Sequence, residues 1–144
     1  MLAIEGNGFF VRNIFIFILV LVTLMLIALS VLKPPIGPHG GELKYVGKYR
    51  IEYKNNYPDL YVYLLNKYEK PIENKGVSCR AKFIFFNEHE ITDTLKAEGL
   101  DGFKLKLKSH DFYLCRIIFI RHGESISADF ENHDMIALTS NNHH

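Results

Sequence analysis

The stretch "FYLCRIIFIRHGESISADFE", residues 112–131, decides how this chain is to be read. Residues 112–120 are apolar on both faces apart from Arg116, the pattern of a central β-strand. Residues 125–131 alternate, with Ile126, Ala128 and Phe130 on one side. Between them, Arg121-His122-Gly123-Glu124 can reverse the chain, because Gly123 tolerates the positive φ that a tight turn needs. Read this way, the stretch is a β-hairpin and the domain around it is all-β.

An apolar strand ending in Arg-His-Gly-Glu also resembles the signature of the histidine phosphatases. There the His accepts a phosphoryl group and the Arg binds phosphate. That resemblance implies an α/β domain, a further Arg, a second His and an acidic proton donor. No helical segment follows His122, so the hairpin reading is preferred, with His122 exposed at the turn and no catalytic role. Ser125 beside it has turn spacing and not triad spacing.

Working outward, period-two patterns fill the second half of the chain. In "ELKYVGKYRIEYK" (42–54) the odd positions carry Leu43, Tyr45, Tyr49, Ile51 and Tyr53, with Gly47 marking a bulge or break. "DLYVYLLN" (59–66), "GVSCRAKFIFF" (76–86), "ITDTLK" (91–96) and "FKLKLK" (103–108) read as further strands. The expectation is an immunoglobulin-like antiparallel β-sandwich of seven or eight short strands over 42–131, without a helix and with a flexible tail over 132–144. The domain lacks Trp, so the eleven Phe and eight Tyr of the chain must supply much of the aromatic packing.

The first third is different. Residues 13–32, "NIFIFILVLVTLMLIALSVL", carry no charge, and Arg12 and Lys33 flank them. Twenty helical residues reach roughly 30 Å, the thickness of a bilayer's hydrocarbon core. The expectation is one transmembrane helix behind a short segment, 1–12. A cleaved signal peptide, with small residues at Ala28 and Ser30, is the alternative, but the run exceeds the roughly 7–15 apolar residues of a signal sequence. "KPPIGPHGG" (33–41) cannot continue a helix and reads as a stiff linker.

Apart from Arg12 and Glu5, all of the 17 Lys and Arg and 16 Asp and Glu lie in residues 33–144. Their signs are interspersed, without a basic stripe, which argues against a nucleic-acid partner. His39 beside two glycines could approach a cation, with Glu42 adding an oxygen ligand, and imidazole suits zinc or copper. A linker His with no ligand is the plainer alternative. His89, His110, His122 and His133 fall near turns, and His143 and His144 could chelate loosely. No pair has a strong metal-site spacing. Cys79 and Cys115 both lie on apolar strand faces. A sandwich could join them across its core as a disulfide, or bury them as two free thiols.

The runs "PHGGELKYVGKYRIEY", "LYVYLLNKYEKPI" and "GVSCRAKF" resemble small periplasmic β-sandwich domains of Gram-negative bacteria. These occur with adaptor subunits of cobalt-zinc-cadmium and copper-silver efflux pumps, and as free-standing membrane-anchored proteins. Tyr49 and Glu52 fit the family's Tyr-x-x-Glu strand, and Lys70-Pro71 fits its hairpin. The resemblance covers about two-thirds of the chain. It implies an inner-membrane, single-pass protein with a periplasmic domain, associated with metal handling. His39 would be the ligand, with Glu42 and Glu52 as neighbours, zinc or copper as the metal, and an envelope or efflux protein as partner. The adaptors' coiled-coil hairpin is absent. A non-metal interaction or scaffolding domain is the alternative, and an enzyme is not expected.

Overall fold

The computed structural model describes residues 3–31 and 33–140. The expected loose chelators His143 and His144, and the last residue of the expected transmembrane segment, lie outside the described residues. The chain divides into two units, an N-terminal helix and a sandwich that begins at Pro35.

Helix α1 runs from Ala3 to Val31, so most of the segment expected to precede the helix is itself helical. Gly8–Val31, 24 residues that contain an 18-residue stretch with a mean hydropathy of 3.2, is long and apolar enough to cross a membrane, and none of that stretch is buried within the protein. Arg12 does not end the helix. Its long side chain leaves the backbone free to continue, and its guanidinium lies 5.3 Å from the Phe9 ring one turn earlier. The two hydroxyls in the run turn back on the helix. Thr23 donates to the Leu19 carbonyl at 2.8 Å and Ser30 to the Ile27 carbonyl at 2.7 Å. Both hydroxyls are thereby satisfied without water, as a hydrocarbon environment requires.

The second unit is a β-sandwich. Its strands are β1 (Glu42–Val46), β2 (Tyr49–Asn56), β3 (Asp59–Asn66), β4 (Val77–Phe85), β5 (Glu90–Thr94), β6 (Lys96–Glu98), β7 (Gly102–Lys106), β8 (Phe112–Arg121) and β9 (Glu124–Glu131). One sheet has the order β1-β2-β3-β7-β6 and the other β5-β4-β8-β9, with every pair antiparallel. Setting β1 aside, this is the immunoglobulin arrangement with a strand added beside its third strand.

The opening stretch folds as the sequence implies. β8 is central in its sheet, and Arg121 pairs with Glu124 across a two-residue turn. His122 at φ 50° and Gly123 at φ 76° both take the left-handed conformation, the geometry that matches the twist of a hairpin. No helix begins at Gly123, and His122 is exposed.

Three details depart from the sequence reading. Gly47 and Lys48 form a two-residue turn, so Val46 pairs with Tyr49. A turn of that length reverses the parity of the alternation. Leu43 and Tyr45 consequently share a face with Glu52 and Arg50, and not with Tyr49, Ile51 and Tyr53. "ITDTLK" is not one strand. The chain passes from one sheet to the other at Leu95, which is buried and donates its N–H to the Cys79 carbonyl at 2.9 Å. β5 and β6 are the two halves, which brings the count to nine. Finally, the expected tail contains helix α2 (His133–Ser140). Asn132 precedes it, and its buried side-chain amide donates to the carbonyls of His110 and Phe112, both at 2.9 Å. Its own carbonyl accepts from Met135 and Ile136. The periodicity of so short a helix is too weak to read.

Between the sheets lies an aromatic core. Tyr53 stacks on Phe130 with ring centroids 4.6 Å apart, and Phe103 meets Phe119 edge-on at 5.6 Å. Each pair joins one sheet to the other and takes the place of the absent Trp.

Candidate functional site

The polar centre of the sandwich lies on the outer face of the five-stranded sheet. Residues 35–41, expected as a linker, are folded onto that sheet as a clasp. Pro35 accepts the Leu43 N–H at 2.8 Å and Ile36 bridges to Glu42, so the clasp starts along the free edge of β1. Gly37 then bonds Gly41 at 2.8 Å and Gly40 bonds back to Gly37 at 3.0 Å. Two glycines are required by close approach. A Cβ on Gly37 would strike the Glu52 carboxyl, and one on Gly41 would lie 2.7 Å from the Tyr53 carbonyl oxygen.

Glu52 is the residue this clasp is built around. It is fully buried. Its Oε1 accepts the backbone N–H groups of His39 at 2.7 Å and Gly41 at 3.0 Å, and its Oε2 lies 2.7 Å from His39 Nδ1. A carboxylate only accepts, so the imidazole donates Nδ1–H to it. The His39 ring lies flat on Tyr63, centroids 3.7 Å apart and planes within 3°. Its other nitrogen, Nε2, faces Asp101 Oδ2 at 3.8 Å. Burial and the Asp101 and Glu52 carboxylates together push the Tyr63 phenol above its ordinary pKa.

The structure thus joins two of the three expected ligands and separates the third. His39 and Glu52 are in contact. Glu42 pairs in register with Tyr53, one residue out of phase with Glu52, and therefore points to the opposite face of the sheet. Its carboxylate lies 3.6 Å from His133 Nε2 instead. Asp101 was missed by the sequence reading, since an acidic residue in a Gly-rich loop looks like ordinary turn chemistry. Among the described residues, no three His, Cys, Asp or Glu side chains converge as a metal-binding group.

Of the two alternatives for the cysteines, a bridge or two buried free thiols, the structure has the second. Cys79 on β4 pairs with Phe119 and Cys115 on β8 pairs with Phe83, so both lie in the same sheet and four residues out of register. That offset is roughly 13 Å of strand, against the roughly 7 Å within which Cα atoms can be bridged. Both are free, buried thiols whose pKa burial pushes up. An immunoglobulin bridge needs one Cys in each sheet.

A scan of protein-family models, a search of curated proteins and a search of solved structures each find no match to this chain. What the fold itself defines is an immunoglobulin-like β-sandwich behind an N-terminal helix of membrane-spanning length.

Proposed function

We propose that this chain is a single-pass membrane protein of the cell envelope whose extracytoplasmic sandwich works as an interaction module and not as an enzyme. The observation that carries this reading is the occupation of Glu52. Glu52, the one buried charged side chain among the described residues, is spent on holding residues 35–41 in place. The polar centre is thus architecture, and partner contacts fall to exposed aromatic side chains such as Tyr57, Tyr68 and Phe86. Protease treatment of cells expressing the full chain tests the placement. The sandwich should be cleaved in spheroplasts and spared in intact cells, while α1 stays with the membrane after alkaline extraction. A sandwich protected in spheroplasts refutes the extracytoplasmic placement.

A second reading, a metal-handling accessory, is favoured by one feature. His39 has its Nδ1 held by a carboxylate, as metal-binding histidines commonly do, with Nε2 left facing Asp101. Zinc or copper would then be held by His39 and Asp101, with Glu52 behind the ring and Glu42 uninvolved. This agrees with the motif resemblance to metal-efflux adaptor domains. Titration of the full chain with Zn²⁺ and Cu²⁺, beside His39→Ala and Asp101→Asn, decides it. Micromolar binding lost in both variants supports a metal role, and no binding in the parent removes it.

A further inference from the structure

The lysines that look dispersed in sequence are gathered by the fold. Lys54 on β2, Tyr61 on β3, Lys104 on β7 and Lys96 on β6 occupy one continuous cross-strand row on the outer face of the five-stranded sheet. Lys106, opposite Asp59, stands in the next row. The Lys104 ammonium lies 5.3 Å from the Tyr61 ring and 3.9 Å from the Asp59 carboxylate. Lys96, Lys104 and Lys106, together with Asp59 and Glu98, line a shallow depression of about 570 Å³. Within this row and depression four ammonium groups face two carboxylates, with an aromatic ring at the centre, while the Glu52 and Asp101 carboxylates lie with His39 in the neighbouring row.

The clasp covers the neighbouring row, where Glu52 pairs with Tyr63, and leaves the lysine row open. The two rows are two residues apart along the strands, about 7 Å. The chain reaches the sandwich at Pro35, on the edge of this same sheet, four residues after the last residue of α1. Four residue steps span at most about 14 Å. A chain whose helix crosses a bilayer is therefore tethered to that membrane through residues 32–34 alone. Attraction of lysines to anionic lipid acts over a Debye length, about 8 Å at physiological salt.

We infer that the open lysine-tyrosine face, Lys54, Tyr61, Lys96, Lys104 and Lys106, docks the sandwich onto the anionic headgroups of the membrane that α1 spans. The inference rests on the membrane-anchored reading. Ammonium groups meet lipid phosphates, and Tyr61 supplies an amphipathic ring suited to the headgroup layer. The effect would be to lay the five-stranded sheet against the lipid and turn the four-stranded sheet, with its free β5 edge, toward partners.

The test uses the full chain in nanodiscs of phosphatidylcholine alone and of phosphatidylcholine mixed with phosphatidylglycerol. Acetylation rates of individual lysines are read by mass spectrometry. Lys54, Lys104 and Lys106 should be slowed severalfold in the anionic discs and not in the neutral ones, with Lys67 and Lys75 unchanged as internal controls. High salt should abolish the difference. Each lysine near an anionic surface is worth about a fivefold factor, so Lys54→Gln/Lys104→Gln/Lys106→Gln should weaken docking about a hundredfold, read as faster acetylation of Lys96. The matching triple Arg variant should restore slow Lys96 acetylation. Equal rates in the two kinds of disc overturn the inference, as does slowing that appears only with added RNA and not with anionic lipid. Co-elution of protein with the discs is scored separately. A chain that elutes free of lipid refutes the anchor itself, whereas a disc-bound chain with equal rates refutes the docking alone.

Discussion

Replacing Glu52 by Ala should release the clasp. In the native sandwich its Oε1 accepts two backbone N–H groups, from His39 and Gly41, and its Oε2 takes the His39 ring proton. Truncation removes the acceptor for both amides at once. A buried donor left without a partner costs about 1–3 kcal/mol, so the pair sets a scale of about 2–6 kcal/mol. Residues 35–41 lie at the surface and can lift into water, which favours the lower half of that range. Glu52→Gln is the informative control. Its amide oxygen can keep both backbone bonds, and its NH₂ can donate to His39 Nδ1 once the ring changes tautomer. It should cost about 1 kcal/mol, the difference between a charge-assisted and a neutral bond. The assay is urea denaturation of the full chain in detergent, followed by the near-ultraviolet circular dichroism of tyrosine, with amide exchange at His39 and Gly41 as the local readout. Either of two results would refute the reasoning. One is Glu52→Ala unfolding at the parent's urea midpoint. The other is Glu52→Gln destabilised as strongly as Glu52→Ala.

Two further predictions concern the rest of the sandwich. Without reductant, the folded protein should react slowly with a thiol reagent and reveal two thiols on denaturation, because Cys79 and Cys115 are buried and unbridged; an intact mass showing a disulfide would contradict this. Asp129 receives two bonds from Arg116, at 2.6 and 2.9 Å, which hold its carboxyl below the usual aspartate range. A depressed pKa in the folded state gives stability that is present above the unfolded value, near 4, and lost as pH falls through the folded value. Asp129→Asn should therefore lower stability slightly at pH 7 and flatten its decline on acidification below pH 4, by an amount kept small by solvent screening. Denaturation midpoints measured from pH 7 to pH 2 would show an unchanged slope if the pair did not matter.

The strands were legible because a half-buried strand must alternate, and a central one need not. That is why 112–120 could be read as central and 103–108 as half-exposed. The parity of 42–54 was misread because a two-residue turn reverses every later position, and nothing in Gly47-Lys48 distinguishes a turn from a bulge. Leu95 could not be seen as the point where the chain changes sheets, since that depends on which strand offers its N–H a carbonyl. Of the candidate site, His39 was legible from its glycines and Glu52 from its motif. Their contact was not, because it needs residues 35–41 to fold over a sheet whose strands come from distant parts of the chain.

Taken alone, the sequence determined the quantities that local physics sets. The apolar run must be a helix of membrane-spanning length, and the alternating runs must be strands of an antiparallel sandwich. Tertiary structure decided how distant side chains meet. It placed Glu52 under the clasp, because a buried carboxylate needs donors and His39 and Gly41 supply them. It placed the two cysteines in one sheet and out of register. It also gathered Lys54, Lys104 and Lys96, from three different strands, into one row, because cross-strand pairing, and not order along the chain, sets which charges become neighbours.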